Sequence, residues 1–324
     1  MTPRRSRLVI NPISGTRSKK GLARFVIDRL APLGWEVEVK YTAGHGDATR
    51  LAREAAERGF DAVFAAGGDG TINETAAALC GTRTALGIIP CGSGNGLARH
   101  LGIPVDIEEG IKVIAANQPM DIDYAVVNDS RKFFCTCGVG FDAAVSEAFS
   151  RKKTRGKLTY IQSTFQTLAR FEPEYYTIIA DGQRLTEKAF LVAVCNASQY
   201  GNNAYIAPGA VIDDGLLDVT IVHAGNIFST ALVGFDILAG QIERNASAMT
   251  FRTHALTIER SRPGVAHIDG EPIELGSRIH IDCLHRDLRV IAPDTPIEIK
   301  PFITPVQAMF SDFRLAINKV IKKG

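Results

Sequence analysis

Residues 65–74 read AAGGDGTINE, and this stretch limits the fold more than any other in the chain. The apolar run DAVFAA leads into it, and the alanine-rich run TINETAAALC leads out. The first has the character of a buried strand and the second that of a helix. Gly67, Gly68 and Gly70 let the backbone between them turn tightly and approach a ligand closely. In an open α/β sheet, ligands bind at this junction of strand end and helix start. The free N–H groups at the start of the helix favour an anion, so a phosphate site is expected. Asp69 does not help a bare phosphate. It fits a site where Mg²⁺ accompanies the phosphates, or where a hydroxyl must surrender a proton. A tight turn in which Asp69 caps the helix is the alternative.

The surrounding pattern extends the same logic. RLVINP (7–12), WEVEVKYT (35–42), DAVFAAGG (61–68) and ALGIIP (85–90) read as strands. KGLARFVIDRLAPLG (20–34), GDATRLAREAAERG (46–59), GNGLARHLG (94–102) and IEEGIKVIAAN (107–117) read as helices. Such alternation predicts βαβ units and a mostly parallel sheet. From Met120 onward the runs become short, β-rich and separated by turns, as in MDIDYAVVND, KAFLVAVCNAS, HALTIERS, RIHIDCL and DLRVIAP. Two domains are therefore expected. One is an α/β domain over residues 1–120, with helices flanking its sheet, and the other an antiparallel β-sandwich over 121–295. Helical spacing returns at 157–171 and in the tail, where Met309, Phe313 and Ile317 share a face.

Composition excludes several classes of protein. The 324 residues carry a net charge of +2, so the overall balance does not suggest nucleic-acid binding. No apolar run approaches the roughly 18 residues that a membrane span needs, so any membrane contact is expected to be peripheral. The six cysteines form no CxxC pair, which fits reduced thiols in the cytoplasm. RKKTRGK (151–157) holds five basic residues in seven. It reads either as a solvated loop or as a dock for an anionic membrane, where each basic residue contributes about 1 kcal/mol. The following stripe of Leu158, Ile161, Phe165 and Leu168 is then either a lipid-access element or core packing. A homodimer is left open.

Two further loops resemble the first in position. NPISG (11–15) follows the first strand, and PCGSGNGLAR (90–99) follows the fourth. No GxxxxGK[ST] loop occurs, so a Walker-type ATPase is excluded. NPISG, GGDGTINE and PCGSGNGLAR, in this order and at these spacings, resemble the catalytic domain of the diacylglycerol kinase and sphingosine kinase superfamily. GVGFDA (138–143), IAPGAVIDDGLLDV (206–219) and HIDGEP (267–272) extend the resemblance to its soluble bacterial lipid kinases. The similarity spans roughly residues 7–300. It implies an NAD kinase/diacylglycerol kinase-like fold whose active site lies between the domains, with the C-terminal helix (296–324) packed back on the first. It also implies ATP and Mg²⁺ as cofactors and a membrane lipid as acceptor.

Residue by residue, the resemblance places Asn11, Ser14, Gly15, Thr42, Gly67, Gly68, Gly70, Thr71, Asn73, Glu74, Gly92 and Ser93 at the nucleotide. Asp69, Asp269 and Glu271 become the acidic active-site cluster. Either Asp269 or Glu271 would take the lipid hydroxyl's proton. Val211, Asp214 and Leu216 match a structural Mg²⁺ site of the bacterial members. Asp142 matches a headgroup-reading carboxylate of sphingosine kinases, and Gly96 stands where many bacterial relatives have aspartate. These two features tilt the expectation toward a sphingoid or ceramide-type acceptor over diacylglycerol. NAD kinases share a GGDGT loop, but PCGSGNGLAR and HIDGEP argue against that activity. The presence of all three acids argues against a non-catalytic sensor. GVGFDA lies in a β-rich setting and does not support a dinucleotide oxidoreductase.

Overall fold

The computed structural model describes residues 3–14, 19–152, 164, 166–168, 170–293 and 299. Gly15, most of the basic run at 151–157, most of the helix expected after it and the tail beyond residue 299 lie outside the described residues.

Strands β1 (Arg4–Ile10), β2 (Trp35–Tyr41), β3 (Ala62–Gly67) and β4 (Ala85–Pro90) run parallel in the order β4-β3-β1-β2. All six residues of β3 and of β4 are buried, as expected for strands covered on both faces. Alternate side chains feed two cores. Leu8, Ile10, Phe64 and Ile89 meet helices α1 (Leu22–Leu30) and α5 (Ile107–Ala116) on one face. Val9, Val63, Ala65 and Ile88 meet α2 (Asp47–Glu57) and α3 (Asp69–Leu79) on the other. α4 (Gly96–His100) is a short helix after β4. The strand order reverses between β1 and β3. Such a switch point opens a crevice at the strands' carboxyl ends. The loops after β1 and β3 both emerge there.

The second half is antiparallel. It comprises β5 (Pro119–Val127), β6 (Arg131–Phe133), β7 (Thr136–Gly140), α6 (Phe141–Ser150), β8 (Glu174–Ala180), β9 (Gln183–Cys195) and β10 (Leu217–His223). After these come α7 (Ile227–Ala239), β11 (Ala248–Thr253), β12 (Ala255–Arg260), β13 (Gly264–Ile268), β14 (Glu271–Leu275) and β15 (Arg278–Ile291). Its core takes Val192 and Val194 from β9, Val219 and Ile221 from β10, Leu256 and Ile258 from β12, and Ile279 and Ile281 from β15.

RIHIDCL and DLRVIAP, expected as two strands, form the single strand β15. Its pairing with β5 shifts register between Leu284 and Leu288. At the break Arg286 is left-handed (φ 50°), and its N–H donates to Asp123 Oδ1 at 2.7 Å. The buried Asp123 thus replaces the lost ladder partner. β15 then pairs in parallel with β4, through Val290–Leu86 and Ile291–Gly87. Both halves therefore share one hydrogen-bonded sheet of 15 strands.

Candidate active site

The three glycine-rich or small polar loops meet at the carboxyl edge of the parallel sheet. Asn11 Nδ2 donates to Thr71 Oγ1 at 3.0 Å across the switch point. A Cβ on Gly92 would come within 2.7 Å of the Gly68 Cα, so the second and third loops touch backbone to backbone. A Cβ on Gly67 would collide with the Thr71 side chain, which leaves no alternative to glycine there. Asn95, left-handed at φ 54°, ties its own loop: Gly92 N–H donates to its Oδ1 at 3.1 Å, and its Nδ2 donates to Gly92 O at 3.0 Å. Ser93 remains exposed at the tip of the loop.

Asp69 is the first residue of α3, with its carboxylate turned toward the third loop. Its Oδ2 accepts the Asn95 N–H at 2.9 Å and its Oδ1 accepts the Gly96 N–H at 2.8 Å. It therefore caps α4 across space, and a Cβ on Gly94 would press on it at 2.8 Å. The expected metal or proton ligand thus also clasps two loops together.

Asp269 and Glu271 flank the turn between β13 and β14. Asp269 is left-handed (φ 49°) and points back into the protein. Its Oδ1 accepts N–H groups of Cys135 (2.8 Å) and Thr136 (2.9 Å). Its Oδ2 accepts Phe134 N–H (2.9 Å) and Asn73 Nδ2 (3.0 Å). Desolvation pushes this carboxyl up to about 6, against the pull of the backbone donors and of nearby His267. Glu271 is different. It is exposed and makes no side-chain hydrogen bond among the described residues. Its Oε1 lies 3.5 Å from where a Gly70 Cβ would be, so it faces the second glycine loop from the other domain.

Of the other expected positions, Thr42 stays at this edge and Glu74 turns away from it. Thr42 follows β2, and its N–H continues the ladder to Ile10 O at 2.9 Å. Glu74 does not face the glycine loops. Its carboxylate accepts Gly46 N–H (2.9 Å) and Ala48 N–H (3.2 Å), with His45 Nδ1 at 2.8 Å, and so caps the start of α2. Glu74→Ala is accordingly expected to cost about 1–2 kcal/mol of stability and to leave the KM for nucleotide unchanged. Thermal unfolding and a nucleotide titration check both halves of that statement.

Asp142 is also displaced from its expected role. It is 7% exposed, and its oxygens accept Ala143 N–H (2.8 Å), Tyr200 Oη–H (3.0 Å) and His267 Nε2–H (3.1 Å). A carboxylate so covered does not present itself to a lipid amine.

The 211–218 segment does not fit a divalent cation. Arg252 lies among its acids, with Nη1 3.4 Å from Asp214 Oδ2, Nε 3.0 Å from Asp218 Oδ1, and Nη2 on Gly209 O. Asp214 Oδ1 also accepts the Leu216 N–H, and Asp213 pairs with Arg286 at 3.0 Å. Asp218 Oδ2 is buried without a hydrogen-bond partner among the described residues. Among the described residues no group of three or more His, Cys, Asp or Glu gathers here to hold a metal, and the Arg252 guanidinium among the acids repels a cation.

Three features were not assigned from sequence. Lys19 reaches back over the first loop, with its Nζ donating to Asn11 O and Ser14 O, each at 2.5 Å, and to Ser14 Oγ. Burial lowers its pKa. His100 is fully buried on α4, and its Nδ1 accepts Ser198 N–H at 3.0 Å from the second domain. Burial pushes it down to about 4, so it is neutral. Tyr200 and His267 cover Asp142. No spacing rule selects Lys19 over Lys20. The partners of the other three residues lie 58 to 125 positions away.

Glycine loops on a parallel sheet, faced by a carboxylate from an antiparallel domain, define a phosphotransferase. The family profile for the diacylglycerol kinase catalytic domain matches residues 5–127, and that for the YegS C-terminal NAD kinase beta sandwich-like domain matches residues 135–292. A probable lipid kinase, YegS-like, from Citrobacter koseri is 32% identical over 281 residues, covering 85% of this chain and 92% of the relative. A second, from Stenotrophomonas maltophilia, is 31% identical over 307 residues, covering 90% and 97%. A solved diacylglycerol kinase structure from Bacillus anthracis shares the fold, with a TM-score of 0.70 at 22% identity, covering 90% and 97%. The chain belongs to the YegS-type lipid kinase family, with its diacylglycerol kinase catalytic domain. No helix among the described residues is long and apolar enough to cross a membrane.

Proposed function

We propose that this protein transfers the γ-phosphoryl group of ATP to a hydroxyl of a diacylglycerol-type lipid, in the cleft between its two halves. The observation that carries this reading is the exposed Glu271 carboxylate, without a hydrogen-bond partner among the described residues, that faces Gly70 across that cleft. The glycine loops supply backbone N–H groups to the phosphates, and Lys19 lies beside the first loop. Mg²⁺ bound with the nucleotide would supply neutralisation of the charge on the phosphates. Asp269 is saturated by four donors, whereas each Asp69 oxygen accepts a single N–H and keeps a lone pair with which it would hold the ion. Glu271 accepts the proton of the attacking hydroxyl. Asp269 holds the turn that carries Glu271.

The covered Asp142 removes the main reason to favour an amine-bearing lipid, so a neutral hydroxyl acceptor fits better. Peripheral contact with the membrane follows from such a substrate. The test is a panel of diacylglycerol, sphingosine, dihydrosphingosine, ceramide and phosphatidylglycerol with labelled ATP. Label entering diacylglycerol supports the reading. Turnover of NAD with no labelled lipid overturns it.

One pH effect follows. Protonated Asp269 has an O–H where it must accept from surrounding N–H donors. Activity is therefore expected to fall as the pH drops through about 6, the value to which desolvation raises this carboxyl. Asp269→Asn should lack that inflection, and a wild-type pH–rate profile that is flat there would remove the assignment.

A further inference from the structure

We propose that Tyr200, Asp142 and His267 form a buried positioning relay. It holds the Asp269–Glu271 turn against the glycine loops, and it acts identically on every lipid acceptor. The proposal rests on the kinase reading above for its catalytic consequence, but the geometry of the relay does not depend on it.

His267 is 1% exposed and Asp142 7% exposed, so the pair is sealed from solvent. The Gly270 N–H points at His267 Nδ1 at 3.4 Å, which makes Nδ1 an acceptor and leaves the proton on Nε2 for Asp142. A Cβ on Gly138 would strike both the Asp142 carboxylate and the His267 ring, so β7 closes directly over them. From His267 the chain runs two residues to Asp269, then through left-handed Asp269 and Gly270 (φ 49° and 82°) to Glu271. Such a turn depends on outside contacts to keep its direction.

The other end of the relay reaches the first domain. Tyr200 begins a loop that docks on the third glycine loop. Asn202 N–H donates to Gly94 O at 3.3 Å, and Arg99 Nη1 donates to Asn203 Oδ1 at 3.0 Å. A Cβ on Gly96 would lie 3.5 Å from Tyr200 O, an ordinary contact distance, so the two loops pack against each other here. The contacts close a ring. It runs from the 92–96 loop to Tyr200, Asp142 and His267, on to Asp269 and Asn73, and back along α3 through Asp69. The relay is the part of this ring that fixes where Glu271 stands relative to the phosphate loops.

The test compares His267→Leu, His267→Gln, Asp142→Asn and Tyr200→Phe in the full-length protein. Three quantities are read: kcat and KM with diacylglycerol and with sphingosine in mixed micelles, the melting temperature, and amide exchange across residues 133–137. His267→Leu should lower kcat about 10–100-fold with KM for ATP within about twofold, as expected for misplacement of a reacting group. His267→Gln, which still carries an N–H donor, should recover most of that loss. Asp142→Asn should affect all acceptors that turn over by the same factor, and the double variant should be no worse than His267→Leu alone. Amides of Cys135 and Thr136 should exchange at least about tenfold faster in His267→Leu, because Asp269 is released.

Native kcat and native exchange in His267→Leu would overturn the relay. So would an Asp142→Asn defect confined to KM for sphingosine. If His267→Leu does not fold, Tyr200→Phe decides: faster exchange with lower kcat supports the relay, and unchanged values sink it. If the wild type labels no lipid, the kinase reading fails, and the exchange data alone still judge the relay.

Discussion

Glu271→Gln is expected to lower lipid phosphorylation by about 10²–10⁴-fold, the range a general base contributes, while leaving the melting temperature unchanged. The two halves of this expectation come from one fact. The Glu271 carboxylate is exposed and has no hydrogen-bond partner among the described residues, so the fold does not use it. An amide of the same shape keeps the packing of the turn and loses only the capacity to take a proton. Single-turnover labelling of diacylglycerol, paired with thermal unfolding, separates the outcomes. A near-native rate would show that Glu271 is not the base. A large loss accompanied by a drop of several degrees would show that it holds the structure together.

Asp69→Ala is expected to combine the two effects that Glu271→Gln keeps apart. Turnover should fall about 10²–10³-fold, because the 92–96 loop loses its anchor and the phosphates lose their placement. Stability should also fall, on the order of 2 kcal/mol, because the Asn95 and Gly96 N–H groups lose their acceptor. The sequence offers, as the alternative to a metal or proton role, an acid that caps its own helix. The geometry makes it a cap for α4, donated from a loop 26 positions earlier. Asp69→Asn should lie between, since one amide oxygen can still serve one of the two donors. An unchanged melting temperature in Asp69→Ala would refute the cap, and an unchanged rate would refute its place in the site.

What could be read from the chain alone tracks how local the physics is. The parallel sheet was legible because each βαβ unit carries its own periodicity within about 30 residues. The three loops were legible because each carries its own run of glycine or small polar residues at a strand end, although Gly92 is held small by Gly68 on another loop. Glu74 was misplaced because its neighbours in the motif face the loops while its own side chain turns toward α2. Asp142 was misplaced because its partners Tyr200 and His267 lie 58 and 125 residues away. Arg252 enters the expected metal segment from a strand 38 residues on from Asp214, which no spacing rule anticipates. The roles of Asp269 and Glu271 could not be divided by sequence, since two residues apart they look alike. A left-handed backbone at Asp269 turns one inward onto four N–H donors and leaves the other in the open.

The long pairing of β5 with β15, and of β15 with β4, has a bearing on how this protein must move. Many two-domain enzymes swing on a flexible connector, and their halves part like the jaws of a clasp. Here the connection is itself a ladder, registered from Ile281 to Ile291 on one side and tied to Leu86 and Gly87 on the other. Opening the cleft by rotation would mean twisting that ladder along its length. On the kinase reading proposed above, a bulky lipid is therefore expected to enter by displacement of loops at the rim, with Glu271 and the glycine loops held at a constant separation by the ladder.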